Sequence, residues 1–150
     1  MLTVTSSAFA AGAAIPKRFT GTGEDLSPPL DIGGVPAGTK ELALICDDPD
    51  APRAEPWVHW VLTGLPPSAT HFDEGRVPAG AVLGKNDFGR LGYGGPMPPR
   101  GHGTHHYHFA IYALDVALGL RPGATRAEVV AAMQGHILAR GELVGTFERQ

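Results

Sequence analysis

The stretch "HGTHHYHF" (102–109) places four of the chain's seven histidines, with one tyrosine, inside eight positions. An imidazole can ligate a metal, carry a proton near neutral pH or, when charged, donate to an anion. Each chemistry needs the rings to converge, whereas a strand would divide them. By alternation His105 and Tyr107 share one face with Phe109 and Ile111, and His106 and His108 share the other with Ala110 and Tyr112.

Three further places carry convergent polar chemistry. "DDPDAP" (47–52) sets three carboxylates among prolines that stiffen the backbone, so any carboxylate there is aimed. Such a turn can receive an amine, orient a histidine or hold a metal, or it can be a solvated Asp-Pro turn. His59 lies in the apolar run "WVHWVLTGL" (57–65), where an imidazole needs a partner. Strict alternation puts Trp57, His59 and Val61 on one face and Val58, Trp60 and Leu62 on the other. His59 reads either as a satisfied core residue or as a site residue partnered by the nearby Asp48–Pro52 turn. The fourth place is "GKNDFGRLGYGGPMPPRGHG" (84–103), too rich in Gly and Pro for regular structure and too long for a passive connector. Its aromatics argue against disorder.

Several chemistries lack their signatures. Tetrahedral zinc wants three or four ligands; His106 and His108, at i and i+2, supply two, and no HExxH or CxxC accompanies them. No GxSxG elbow and no Walker-type phosphate loop occurs, and the single Cys46 at a strand end reads as a small buried hydrophobe.

The elements that must position these residues are mostly strands. "LTVTS" alternates near the start; "ELALICDD" (41–48), 57–65 and "HHYHFAIYALD" (105–115) follow, and "ILARGELVGTF" returns late as a strand. One helix is predicted near residues 126–134. Thr125 and Glu128 form its capping box, Val129, Val130 and Met133 its apolar stripe, and Gly135 its stop. Short strands with turn signals and one late helix predict a mainly β fold, an antiparallel sandwich or barrel.

Composition narrows the classes. A chain of 150 residues with neither repeat nor linker is expected to form one domain, 1–150. With 43% hydrophobic and 18% charged residues it has the makings of a core. A net charge of −3 weighs against nucleic-acid binding, and no apolar run reaches the roughly 20 residues of a membrane span. The opening "MLTVTSSAFAAG" lacks a basic start and reads as mature protein. A lone cysteine suits a reducing compartment, so a cytoplasmic location is expected.

Four ordered motifs now coincide: "CDDPDAP", "WVHWVL", "GKNDFG…GYGGPMPPRGHGTHHYHFAIYALD" and "GHILARGELVGTF". Together, and with "SSAFAAGAAIPKRFTGTGEDLSPPL" before them, they resemble the phosphatidylethanolamine-binding protein family over nearly the whole chain. The likeness is to its bacterial and archaeal, Raf kinase inhibitor-like branch.

The resemblance implies a Greek-key β-sandwich with one or two short helices and a small anion pocket at one edge, requiring neither catalysis nor a cofactor. It places Asp48 and Asp50 at that pocket, with Pro52 shaping it. His59 matches the first pocket histidine, His105 the second and Tyr107 the tyrosine, while Gly95 and Pro98–Pro99 match the backbone rim. No metal ligand is implied. His106 stands where the family carries an arginine, which removes a fixed positive charge beside the pocket. The resemblance also implies cis peptide bonds at positions here occupied by Ala51–Pro52 and Glu55–Pro56. Animal members continue into a helix bordering the pocket, whereas this chain ends "VGTFERQ"; prokaryotic members are often dimers, and a homodimer is expected.

The expected partner is a small anionic or zwitterionic ligand: phosphate, phosphoethanolamine or an acetate-like carboxylate. Two other classes of function compete. One is a hydrolase-like enzyme with His59, His105 and Asp48 as acid–base groups. The other is an interaction protein of the protease- or kinase-inhibitor type, which would show an exposed apolar patch away from the pocket.

Overall fold

The computed structural model describes residues 1–150. Its strands are β1 (Thr3–Thr5), β2 (Leu30–Gly33), β3 (Glu41–Asp48), β4 (Trp57–Leu65), β5 (His71–Phe72), β6 (Val82–Leu83), β7 (His105–Leu114) and β8 (Ile137–Phe147). A single α-helix, α1 (Arg126–Met133), and a 3-10 turn at Lys17–Phe19 complete the regular structure. The small sheet runs β1-β2-β5 and the large one β6-β4-β3-β7-β8, antiparallel throughout.

The two sheets close on one main core. Val4, Leu30, Ile32 and Phe72 of the small sheet meet Leu42, Leu44, Trp60, Phe109 and Ile111 of the large one. The other face of the large sheet is covered by α1, whose Val129 and Met133 pack on Ala43, Ile45, Val58 and Val61. Both faces of β3 are therefore buried, which is why "LALIC" reads as a continuous apolar run with no polar alternate.

The helix begins as its sequence dictates. The Thr125 side chain accepts from Glu128 N–H at 3.2 Å, and Glu128 reaches back to Thr125 N–H at 3.0 Å. Gly135 follows at φ +83°, a left-handed position that suits glycine. The apolar stripe is narrower than predicted: Val129 and Met133, one turn apart, are buried, but Val130 is 42% exposed.

Strand β4 departs from alternation in a way that matters. Against β3, Cys46 pairs with Trp60 and Asp47 with Val58, leaving His59 as an extra residue: a β-bulge. After it the phase is reset. Trp60 and Leu62 turn into the main core on the same side as His59, and Val61 goes to the helix side with Val58. The expected grouping of Val61 with Trp57 and His59 is thus corrected, because one inserted residue exchanges the faces of Trp60, Val61 and Leu62 that follow it.

Candidate functional site

The ends of three adjacent strands and the 84–103 loop build one pocket of about 380 Å³. Asp48 ends β3 on the main-core side, Asp47 having turned to the opposite face. Trp57 and His59 come from β4, and His105 and Tyr107 from the start of β7. The loop contributes Phe88, Met97, Pro98 and Pro99, and the acidic turn adds Ala51 and Pro52.

The order of the long loop comes from polar groups that sequence inspection passed over. Asn86, 2% exposed, donates to Gly92 O at 3.0 Å and accepts from Phe88 N–H and Arg90 N–H. Tyr93 donates its hydroxyl to Phe19 O at 2.6 Å. Gly95 N–H donates to the Asp25 carboxylate at 2.7 Å, and Asp25 holds an unusual φ of +60°. A Cβ on Gly95 would stand 2.5 Å from Phe19 O and 2.6 Å from Asp25 Oδ1, so only glycine fits there.

The ring atoms are assigned by their partners. His59 Nδ1 donates to Gly94 O at 2.6 Å, since a carbonyl can only accept. Its Nε2 is therefore the atom left for a ligand. Burial holds His59 below the ordinary histidine range, outweighing the Gly94 hydrogen bond and the charge of Asp48. His105 Nδ1 donates to Asp48 Oδ2 at 2.6 Å, both side chains buried, and Asp48 Oδ1 also accepts from Asp50 N–H at 2.8 Å. The Tyr107 phenol is pushed well above its usual value by burial first, then by the negative charges of the Asp48 and Asp50 carboxylates, and so keeps its hydrogen. The His59 and Tyr107 rings meet edge-on at 5.1 Å, and Phe88 bridges His59 and Trp57 at 5.5 and 5.4 Å.

Of the residues singled out in the sequence, Asp48, Pro52, His59, Pro99, His105 and Tyr107 line the pocket, and Asp50 and Gly95 do not. Asp50 points outward, accepting from His106 N–H at 2.7 Å and from the His106 ring at 2.8 Å. Partial desolvation opposes its ionisation, but those His106 interactions outweigh it and hold the carboxyl below its usual range. Gly95 stands behind the wall, linking it to Asp25. His108 lies on the far face of the sheet, 3.2 Å from Glu142. No cluster of three or more His, Cys, Asp or Glu side chains is arranged to hold a metal.

The acidic turn also differs from expectation. No peptide bond is cis, so Ala51–Pro52 and Glu55–Pro56 are trans, the lower-energy isomer even before proline. The turn is closed instead by Asp50 N–H to Asp48 and by Arg53 N–H to Ala51 O at 2.7 Å. Sequence inspection also missed four wall residues, Ala51, Trp57, Phe88 and Met97. A wider groove of about 560 Å³, sharing Met97, brings Lys17, Arg100 and Arg149 alongside.

A β-sandwich that gathers an aspartate, two histidines and a tyrosine at the strand ends of its larger sheet is a ligand-binding fold. The chain belongs to the phosphatidylethanolamine-binding protein family, whose model matches residues 5–148. It is 49% identical over 152 residues to the UPF0098 protein PH1269 of Pyrococcus horikoshii, covering 97% of this chain and 76% of that one. Two crystal structures superpose with a TM-score of 0.93 each. The PEBP homolog CT736 of Chlamydia trachomatis is 40% identical, over 99% of this chain and 98% of its own. E. coli YbcL, described as a member of the mammalian PEBP family, is 32% identical over 99% of both chains.

Proposed function

We propose that this protein binds a small phosphorylated ligand of the phosphate or phosphoethanolamine kind, a carboxylate being the weaker alternative, without covalent chemistry. The observation that carries the reading is the convergence of His59, Tyr107 and an Asp48-oriented His105 from three strand ends on one pocket.

The pocket offers donors and acceptors together. The protonated Tyr107 hydroxyl can donate to a phosphate oxygen, while the bare Nε2 of His59 can accept from a P–OH or an ammonium group. The faces of Trp57 and Phe88 suit an ammonium group too, by cation–π attraction. Arg53 already lies 4.6 Å over the Trp57 ring, so one face of that indole is taken. Charge-assisted bonds contribute about 1.5–3 kcal/mol each against several lost on immobilising the ligand, which places affinity roughly between micromolar and millimolar. No serine, threonine or cysteine lines the pocket, and burial pushes the Cys46 thiol up, all of which supports binding over nucleophilic catalysis.

The test is an NMR titration of the histidine ring signals with phosphoethanolamine, once with EDTA and once with zinc. The His59 and His105 rings should shift saturably in EDTA while those of His106 and His108 stay still. Silence until zinc is added, with His106 and His108 responding first, would overturn the reading.

A further inference from the structure

One imidazole outside the pocket wall is bonded to the pocket's chemistry. His102 is exposed, and its Nδ1 stands 2.6 Å from Nε2 of His105, the two rings 4.8 Å apart. His105 has two ring nitrogens. Asp48 holds Nδ1, so Nε2 is the only atom through which His105 could donate to an anion, and His102 occupies it.

The backbone around His102 is made to turn. Gly101 and Gly103 flank it at φ +71° and +91°, and a Cβ on either would meet nothing within 4 Å. Left-handed glycines in open space on both sides leave the segment free to pivot where other residues would resist. Its backbone ties are two longer bonds, His102 N–H to Pro99 O and Gly101 N–H to Arg149 O, each at 3.2 Å.

We propose that His102 is the gate of the pocket. It holds the His105 nitrogen that a phosphate-type anion needs, and entry of the anion swings it aside on the glycine pair. The gate rests on the reading of this pocket as an anion site. In the closed arrangement a single hydrogen lies between the facing nitrogens of His102 and His105. In the open one that hydrogen stays on His105 Nε2 and is donated to the anion, Nδ1–H keeps its bond to Asp48, and His102 leaves with Nδ1 bare. His102 is thus a positioning residue that acts through His105 and competes with the ligand.

Calorimetric titration with inorganic phosphate tests this on the wild-type chain, His102→Ala and His102→Asn. His102 is exposed, so neither variant disturbs the core. Removing the competitor should tighten phosphate binding about three- to tenfold, the worth of one hydrogen bond. Asparagine, whose amide oxygen stands near the place of Nδ1 and can accept from His105 Nε2–H, should return affinity toward wild type. The His102 ring signals of the wild type should shift with the same dissociation constant as those of His105. If wild type binds phosphate and His102→Ala binds it equally or more weakly, the gate is wrong and the pocket stands. If none of the three binds, the pocket reading falls and takes the gate with it.

Discussion

His59 and Gly94 hold each other twice: the imidazole Nδ1 donates to Gly94 O at 2.6 Å, and Gly94 N–H donates back to His59 O at 2.9 Å. This reciprocal pair stitches the long loop to the bulge in β4. It fixes the tautomer of a buried ring and the position of the loop in one arrangement.

The pair has a measurable pH signature. Burial lowers the folded-state value of His59, so over a window beginning near pH 6.5 and running down to that lowered value the unfolded chain binds a proton the folded chain refuses. Stability from this group is therefore complete above about pH 6.5 and falls as the solution is acidified, by up to about 1.4 kcal/mol per pH unit. His59→Asn keeps a donor for Gly94 O and cannot titrate. Urea midpoints at pH 7 and pH 5 should show a smaller acid loss in the variant; equal losses would remove His59 from the account.

Gly95→Ala should destabilise by about 1–3 kcal/mol, because its methyl would be driven against Phe19 O and the Asp25 carboxylate. The same displacement should loosen the neighbouring Gly94–His59 pair. Guanidinium unfolding measures the first effect, and broadening of the His59 ring signals measures the second.

Asp48→Asn replaces an acceptor by a group that must choose between His105 Nδ1–H and Asp50 N–H, both now satisfied by one carboxylate. Keeping both donors would leave one unpaired, at a cost of about 1–3 kcal/mol, so His105 instead gives up its Nδ1 hydrogen and accepts from the new amide. Nitrogen-15 spectra of the His105 ring should show Nδ1 losing its hydrogen, and phosphate binding should weaken with it. A ring still protonated at Nδ1 with full stability would contradict the orienting role.

Thr125→Ala removes the capping box of α1 and should cost about 1 kcal/mol. The helix covers the face of the sheet opposite the pocket, so phosphate affinity should not change. That separation distinguishes damage to the fold from damage to the site.

Much of the fold was legible because its signals are local. The alternation of 105–114 divides the histidines as the structure does, and Thr125 with Glu128 marks the helix start correctly. The bulge at His59 was not legible, since one inserted residue depends on the partner strand and leaves no trace in β4 itself. Strand alternation from Asp48 points Asp50 into the pocket, but β3 ends at Asp48, and the turn that follows with the pull of His106 directs it outward. The role of His102 is not legible in the histidine cluster, because its partner is set by a glycine turn rather than by strand periodicity. Asn86 and Asp25 order the loop through contacts that spacing alone does not encode.

Strand β7 carries its own decoy. A slip of one residue against β3 and β8 would turn His106 and His108 toward the pocket side and still leave two imidazoles near Asp48, so the histidines themselves do not guard the register. The guard is apolar: the same slip would pull Phe109 and Ile111, both fully buried, out of the main core and push Ala110 and Tyr112 into it. The residues that choose which histidine faces the pocket are therefore ones that do not line it.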